Sequence, residues 1–210
     1  MEGFERIGAR CFNAFQDACI SLASRAINKE LARRSALRGQ GAFRWFIQEE
    51  AEAAEALAKI IVPSDENTPG IEEIDVLGPP AIVVLDNLVR TSPERQYVYS
   101  RGLLSFDVWA IKERGCKFAA MTTNDQMTLL RVAQQVYEEW TARVPSMVKV
   151  WRRLRSIARV RSGQFFAAQL YPEIRSDSFQ AFYTSRVSWI WLEYDGPPMD
   201  EGYPRLEARR

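Results

Sequence analysis

Apolar side chains recur every three or four residues along most of this chain, which is the spacing of one face of an α-helix. The spacing predicts helices over residues 4–38, 43–62, 81–91, 93–114 and 123–140, with one or two more over 145–170. Alternating strand patterns are scarce, and neither an internal repeat nor a Rossmann or phosphate-loop glycine pattern is present. The sequence therefore predicts an all-α fold, built as an irregular multi-helix bundle.

Helix-capping residues locate two of the predicted helix boundaries. Ser92 followed by Pro93 is typical of an N-cap with proline at the first helical position, and Gly115 is typical of a C-terminal cap. The stretch from Thr123 to Gln126 matches a capping box. We therefore expect one helix between Ser92 and Gly115 and another that starts at the capping box.

Composition divides the chain into three parts. Residues 63–70 are rich in turn formers and predict a compact loop within the central part. The last forty residues are aromatic and rich in Gly and Pro, and predict an extended, irregular tail. We predict an N-terminal helical extension over residues 1–42, a helical core domain over 43–170 and a wrapping tail over 171–210.

The most restrictive feature of the composition is the absence of histidine from all 210 residues. It excludes nucleophiles activated by histidine, histidine general bases and zinc sites that contain histidine. The formal net charge of +1 directs the chain towards neither nucleic acid nor a membrane surface. The composition therefore favours a non-catalytic role.

The cysteine and carboxylate patterns indicate no catalytic, cofactor-binding or metal-binding residue in this chain. Cys11, Cys19 and Cys116 are too few and too scattered for a metal site or a disulfide framework. Adjacent acids such as Glu138 and Glu139 point about 100° apart on a helix, because a turn holds about 3.6 residues. A carboxylate-based enzyme would need two convergent acids in a cleft, and no specific pair is present.

An arginine pair, Arg33-Arg34, is similar to part of a twin-arginine export signal. The segment after it is amphipathic, whereas an export signal has an apolar core. We therefore expect the pair to lie on a solvated helix face. The compartment stays open: cytoplasmic by absence of a signal, or periplasmic if a partner carries the chain across.

A basic segment over residues 143–161 contains seven Lys and Arg residues and no acid. Arg152 and Arg155 lie at helical spacing, with apolar residues turned elsewhere. The pattern is compatible with a solvated face, with docking against an acidic partner, or with binding of phosphates. Nearby acidic segments disfavour the third alternative.

The C-terminal segment is dense in aromatic residues between Phe179 and Tyr194. Such a strip needs a surface on which its rings can be buried. It can cover its own helical core, or it can wrap a partner, because Trp and Tyr anchor many interfaces. The composition leaves both alternatives open.

Several short motifs then occur in an order that resembles a known family. The run Leu57-Ala-Lys-Ile-Ile-Val-Pro-Ser-Asp-Glu66, followed by Thr68-Pro69-Gly70, is similar to the gluconate 2-dehydrogenase subunit 3 family. The similarity continues through residues 99–107 and 117–130 and through Phe182-Tyr183-Thr184. It ends in the Tyr, Gly and Pro residues of 194–204 and covers roughly residues 44–204.

The resemblance implies a small, non-catalytic subunit. Such subunits bind a large FAD-dependent sugar or sugar-acid dehydrogenase of the glucose–methanol–choline type and assist its folding, cofactor loading or export. A cytochrome c subunit often completes the complex. The resemblance thus implies FAD in the partner and no cofactor in this chain. The alternative is a stand-alone helical module that binds a ligand or regulates another protein.

On this hypothesis, the loop and the aromatic tail clamp the partner, and the basic segment makes a secondary contact. The expected interface residues are Pro63, Asp65, Pro69, Gly70, Arg152, Arg155, Tyr183, Trp189, Trp191, Tyr194, Pro197 and Tyr203.

Overall fold

A computed structural model describes residues 25–142 and 163–194, which form helices and loops without a β-strand among them. The α-helices are α1 (Arg25–Leu37), α2 (Gln48–Ile61), α3 (Ala81–Arg90), α4 (Pro93–Arg114), α5 (Thr123–Thr141), α6 (Gln164–Tyr183) and α7 (Arg186–Trp191). Two short 3-10 helices cover Ile71–Val76 and Phe118–Ala120. The predicted all-α fold is confirmed. The helical spacing over residues 4–24 and the basic segment 143–161 lie outside the described residues.

Helices α4 and α6 form the centre of the bundle. They pack against each other, α5 packs against α6, and α2 and α3 cover the remaining sides. At Gly102 the two central helices approach so closely that a Cβ atom would lie 2.4 Å from Cβ of Leu170. The largest fully buried side chains form one apolar core and include Phe46, Leu57, Leu85, Tyr99, Leu103, Phe106, Phe118, Leu170 and Ile174.

The predicted caps of α4 are confirmed, and that of α5 is off by one residue. The Ser92 hydroxyl accepts the backbone N–H of Arg95 at 3.3 Å, and Gly115 closes α4 with a φ of 75°. For α5 the capping residue is Thr122 instead of Thr123, since the Thr122 hydroxyl accepts the N–H of Asp125 at 3.3 Å. Two consecutive threonines offer the same cap chemistry, so the sequence pattern alone does not fix the register.

The expectation of irregular chain from residue 171 onward is wrong for the described part. Helix α6 continues through Pro172 to Tyr183, and α7 follows after two residues. An internal proline costs about 3 kcal/mol. The buried side chains on both sides of it, Leu170 and Ile174, offset that cost through burial of apolar surface. The domain boundaries themselves stay a prediction.

Helix α2 begins at Gln48, later than the apolar spacing predicts, because a buried carboxylate on α3 binds the preceding residues. The Asp86 carboxylate accepts the backbone N–H groups of Arg44, Trp45 and Phe46 at 2.9, 2.9 and 2.7 Å. Asp86 is only 3% exposed. This holds residues 44–46 in a bend ahead of α2, with the rings of Trp45 and Phe46 in the core.

The arginine pair on α1 has two different environments. Arg33 lies on the surface and pairs with Glu30 at 2.6 Å, as expected. Arg34 is 3% exposed, and its guanidinium donates to the Asp107 carboxylate on α4 at 3.1 Å. The expectation of a solvated face is therefore wrong for Arg34, because α1 packs on α4 where Asp107 is buried.

No helix within the described ranges combines the length and the apolar character that are needed to cross a membrane.

Candidate functional site

The loop of residues 63–70 is closed by its own polar groups. The Asp65 carboxylate accepts the N–H groups of Asn67 and Thr68 at 2.9 and 2.8 Å, and its own N–H donates to the Thr68 carbonyl. These backbone donors lower the pKa of the Asp65 carboxyl. The predicted compact loop is thereby confirmed. Pro63 and Asp65 are exposed, and Pro69 is half-buried.

Gly70 is buried where the end of this loop crosses its beginning. A Cβ atom at this position would lie 2.4 Å from the Ser64 nitrogen and 2.9 Å from the Pro63 carbonyl carbon. The Glu73 carboxylate accepts the Gly70 N–H at 3.1 Å and secures the start of the 3-10 helix Ile71–Val76. Only glycine fits this crossing without a shift of the backbone.

Helix α7 connects the end of the described chain to the loop. The Ser185 hydroxyl caps α7 by accepting the Ser188 N–H at 3.2 Å. The Trp191 indole N–H donates to the carbonyl of Asn67 at 3.1 Å, although the two residues lie 124 positions apart. α7 also lies against the 3-10 helix Ile71–Val76. The structure therefore brings the two predicted halves of the clamp together.

Ring contacts link the aromatic residues at this end of the bundle. The Tyr183 ring stacks on Phe179 with centroids 6.1 Å apart, and it meets the Phe182 ring edge-on at 5.2 Å. The Trp191 ring lies 6.3 Å from Phe182. The Trp189 indole N–H donates to the Tyr183 carbonyl at 2.7 Å. These contacts give α7 a fixed position on α6.

Apolar side chains nevertheless remain exposed around α7. Val76 is 75% exposed and Ile190 61% exposed, although both are large aliphatic residues. We call this region the C-terminal surface and define it by the exposed residues Val76, Leu77, Tyr183, Ile190, Trp191, Leu192 and Tyr194. A cluster of exposed apolar side chains with a polar loop beside it is typical of a protein-binding surface.

The C-terminal surface contains three of the twelve predicted interface residues. Tyr183, Trp191 and Tyr194 belong to it, the half-buried Trp189 is hydrogen-bonded to the Tyr183 carbonyl, and the loop is joined to Trp191 through the Asn67 carbonyl. The first alternative for the aromatic strip is confirmed in part, since Phe182 is buried in the core. Trp191 remains 40% exposed, and contact with a partner stays a prediction. The other predicted residues, Arg152, Arg155, Pro197 and Tyr203, lie outside the described residues.

Among residues 25–142 and 163–194, four carboxylates are buried that were not expected from the sequence: Glu50, Asp86, Asp107 and Asp177. Burial raises the pKa of the Asp107 carboxyl and of the Glu50 carboxyl, and the nearby guanidinium groups of Arg34 and Arg38 oppose the shift. Asp177 accepts the Tyr99 hydroxyl at 2.9 Å and the Arg95 side chain at 3.1 Å. Each carboxylate holds a helix or a turn through a named donor.

A signal for two of these carboxylates is present in the sequence. Asp86 follows Leu85 and Asp107 follows Phe106, so both acids interrupt apolar runs inside predicted helices. An acid at such a position predicts a buried partner, because an unpaired charge is costly in the core. The partner itself is not predictable, since it lies in another helix.

The described residues contain no cluster of three side chains suited to hold a metal ion. Cys116 is a half-buried free thiol.

The comparisons with known proteins give one match. The family described as gluconate 2-dehydrogenase subunit 3 matches residues 48–196, which is more than half of the chain. No curated protein and no solved structure matches the chain. The matched range runs from the first residue of α2 to just beyond α7 and so contains the loop, Gly70 and the C-terminal surface. The chain therefore belongs to the gluconate 2-dehydrogenase subunit 3 family.

Proposed function

We propose that this chain is a non-catalytic small subunit that binds and stabilises a large FAD-dependent dehydrogenase of the glucose–methanol–choline type. The large subunit carries the FAD and oxidises a sugar or sugar acid, and this chain assists its folding, cofactor loading or export. A cytochrome c subunit is a further candidate member of the complex. Membership of a family of dehydrogenase subunits supports a role in such a complex.

The observation that carries the proposal is the C-terminal surface. Exposed aliphatic and aromatic side chains surround α7, and the hydrogen bond between Trp191 and Asn67 holds the loop beside them. A rigid surface loses little conformational entropy on binding, so more of the burial free energy contributes to affinity. Aromatic anchors at the centre of an interface contribute about 2 kcal/mol or more each when truncated.

A pair of matched substitutions tests this proposal. Ile190→Glu places a charge on the C-terminal surface, while Ile111→Glu makes the same change on α4 at a residue that is 50% exposed. The tagged wild-type chain is expected to co-purify a protein with a flavin absorption spectrum. Ile190→Glu is expected to reduce recovery of this flavoprotein at least tenfold, because burial of a charge opposes binding. Ile111→Glu is expected to leave recovery unchanged.

Two outcomes contradict the proposal. If the wild-type chain purifies as a colourless monomer from its own organism, the stand-alone helical module is the better account. If both glutamate variants recover the flavoprotein equally well, the partner binds elsewhere and the C-terminal surface is not the interface. Circular dichroism of both variants establishes that each of them is folded.

A further inference from the structure

A groove lies between α5 and α6, beside the last turn of α2. It has a volume of about 210 Å³, and its apolar walls include Ile60, Ile61, Met127, Tyr171 and Phe179. Ligand pockets for small molecules usually enclose about 300–1,000 Å³. A groove of this smaller size fits a few side chains of a docked protein segment better than it fits a small-molecule ligand.

Two charged residues in the described part of the chain line this groove, and both are arginines: Arg131 on α5 and Arg175 on α6. Both are exposed, and neither forms an ion pair with a residue in the described ranges. The Arg175 guanidinium lies 5.8 Å from the centroid of the Phe179 ring. The arrangement offers two cationic groups at the edges of an apolar floor.

A neighbouring groove on the other side of α2 has the opposite charge. It is lined by Glu52, Glu55 and Glu72. Lys59 also lines it and pairs with Glu55 at 3.3 Å and with Glu72 at 3.8 Å. Ile60 lines both grooves. The end of α2 therefore separates an acidic groove from a basic one. A negatively charged segment of a partner is attracted to the basic groove and repelled from the acidic one.

The basic groove continues into the C-terminal surface. Phe179 lines the groove, and its ring stacks on Tyr183, which belongs to that surface. We propose that the basic groove receives a segment of the large dehydrogenase subunit that carries apolar side chains and carboxylates. The apolar side chains fill the floor, and the carboxylates pair with Arg131 and Arg175. This inference rests on the proposed function, because it names the chemistry of the same partner.

A charge-reversal experiment tests the inference with the full chain and the purified flavoprotein. The test variant is Arg131→Glu with Arg175→Glu. The matched control is Arg90→Glu with Lys112→Glu, which reverses two exposed cations outside the groove. Titration calorimetry measures the affinity of each chain for the flavoprotein at low and at high salt. The test variant is expected to bind at least tenfold more weakly at low salt, with a flatter salt dependence.

A charge-conserving variant separates charge from shape. Arg131→Lys with Arg175→Lys is expected to bind within about threefold of the wild type, since a point charge retains most of the attraction while bidentate geometry is lost. The control variant is expected to behave as the wild type does.

Three outcomes overturn the inference. Equal affinity and salt dependence of the test and control variants show that no acidic segment of the partner occupies the groove. A lower melting temperature of the test variant without loss of affinity assigns the groove to an acidic segment of this same chain. If the wild-type chain does not bind the flavoprotein at all, the proposed function fails, and this inference fails with it.

Discussion

The buried carboxylates and the C-terminal surface use polar and aromatic residues in opposite ways. In the interior, Asp86 and Asp107 each accept donors from a different part of the chain, and both are 3% exposed. At the C-terminal surface, Trp191 and Ile190 make few such connections and remain 40% and 61% exposed. In the interior, the buried carboxylates and their donors hold helices together, whereas at the C-terminal surface large apolar side chains stay in contact with water.

This difference implies that the interior residues determine the stability of the folded chain and that the surface residues determine its binding. A buried carboxylate that loses its donors, or a donor that loses its carboxylate, destabilises the folded chain. An exposed apolar side chain contributes little to the folded monomer, and its burial becomes favourable only in a complex. Substitutions in the interior should therefore change the free energy of unfolding, and substitutions at the surface should change the affinity for the flavoprotein.

The largest effect on stability is expected from Asp86→Ala. It leaves the buried N–H groups of Trp45 and Phe46 and the more exposed N–H group of Arg44 without their acceptor. We expect a loss of about 4 kcal/mol in the free energy of unfolding, since each unsatisfied buried group costs about 1–3 kcal/mol. Urea denaturation followed by circular dichroism measures this loss. Asp86→Asn keeps one acceptor oxygen and should lose about half as much free energy of unfolding. If Asp86→Ala loses less than about 1 kcal/mol, Asp86 does not hold these residues as assigned.

A pH-dependent loss is expected from Arg34→Met. Burial raises the pKa of the Asp107 carboxyl above its ordinary value of 3.8. The protonated carboxyl therefore contributes to the stability of the fold below pH 3.8. This contribution is lost as the pH rises through the raised pKa of the folded state. Arg34 limits this loss by pairing with the ionised form. Its removal should cost about 3 kcal/mol near neutral pH and less in acid, where Asp107 is protonated.

Thermal unfolding of the wild type and of Arg34→Met at several pH values measures the difference. Arg33→Met is the matched control, because Arg33 is a surface residue that pairs with the half-buried Glu30. The control should cost less than about 1 kcal/mol. A penalty for Arg34→Met that is independent of pH shows that Asp107 is not the group that responds.

The two regions also differ in how far the sequence predicts them. The aromatic residues of the C-terminal segment and the turn formers of the loop were identifiable from composition, and the cap residues Ser92 and Gly115 located α4 to the residue. These signals are local, because each depends on a few neighbouring positions. The buried carboxylates depend on partners that are distant in the chain, such as Arg34 for Asp107, which lie 73 positions apart. Such pairs are set by packing and not by spacing.

The expectation of irregular chain from residue 171 failed for a related reason. Pro172 and the aromatic composition both indicated irregular chain, since local propensity disfavours a helix there. The helix forms because one face of α6 packs against α4 and α5. Tertiary packing therefore outweighed the local signal, and the Gly/Pro-rich character begins further along the chain than expected.

Gly70→Ala is expected to have an intermediate effect on both the free energy of unfolding and the affinity for the flavoprotein. Gly70 lies in the loop beside the C-terminal surface and is itself buried. The added Cβ would lie 2.4 Å from the Ser64 nitrogen, so the loop backbone must shift. We expect a loss of about 2 kcal/mol in the free energy of unfolding, and a weaker affinity because the loop moves away from Trp191. Gly78→Ala is the matched control, since its Cβ would lie 3.6 Å from the nearest carbonyl, an ordinary contact. Equal behaviour of the two variants would show that the crossing at Gly70 is not tight.

The smallest change in stability is expected from Trp191→Phe, which removes the donor to the Asn67 carbonyl and keeps an aromatic ring beside Phe182. The bond is exposed, so its loss should cost the free chain about 0.5 kcal/mol. The same bond holds the loop against α7. Without it, a partner that contacts both the loop and α7 must order the loop when it binds, and this lowers the affinity. We therefore expect the affinity for the flavoprotein to fall about fivefold, which corresponds to about 1 kcal/mol. Trp189→Phe is the matched change, because its indole N–H donates to the Tyr183 carbonyl within the α6–α7 connection. It should lower stability more than affinity, and if Trp191→Phe follows the same pattern, the hydrogen bond to the loop serves the fold and not the interface.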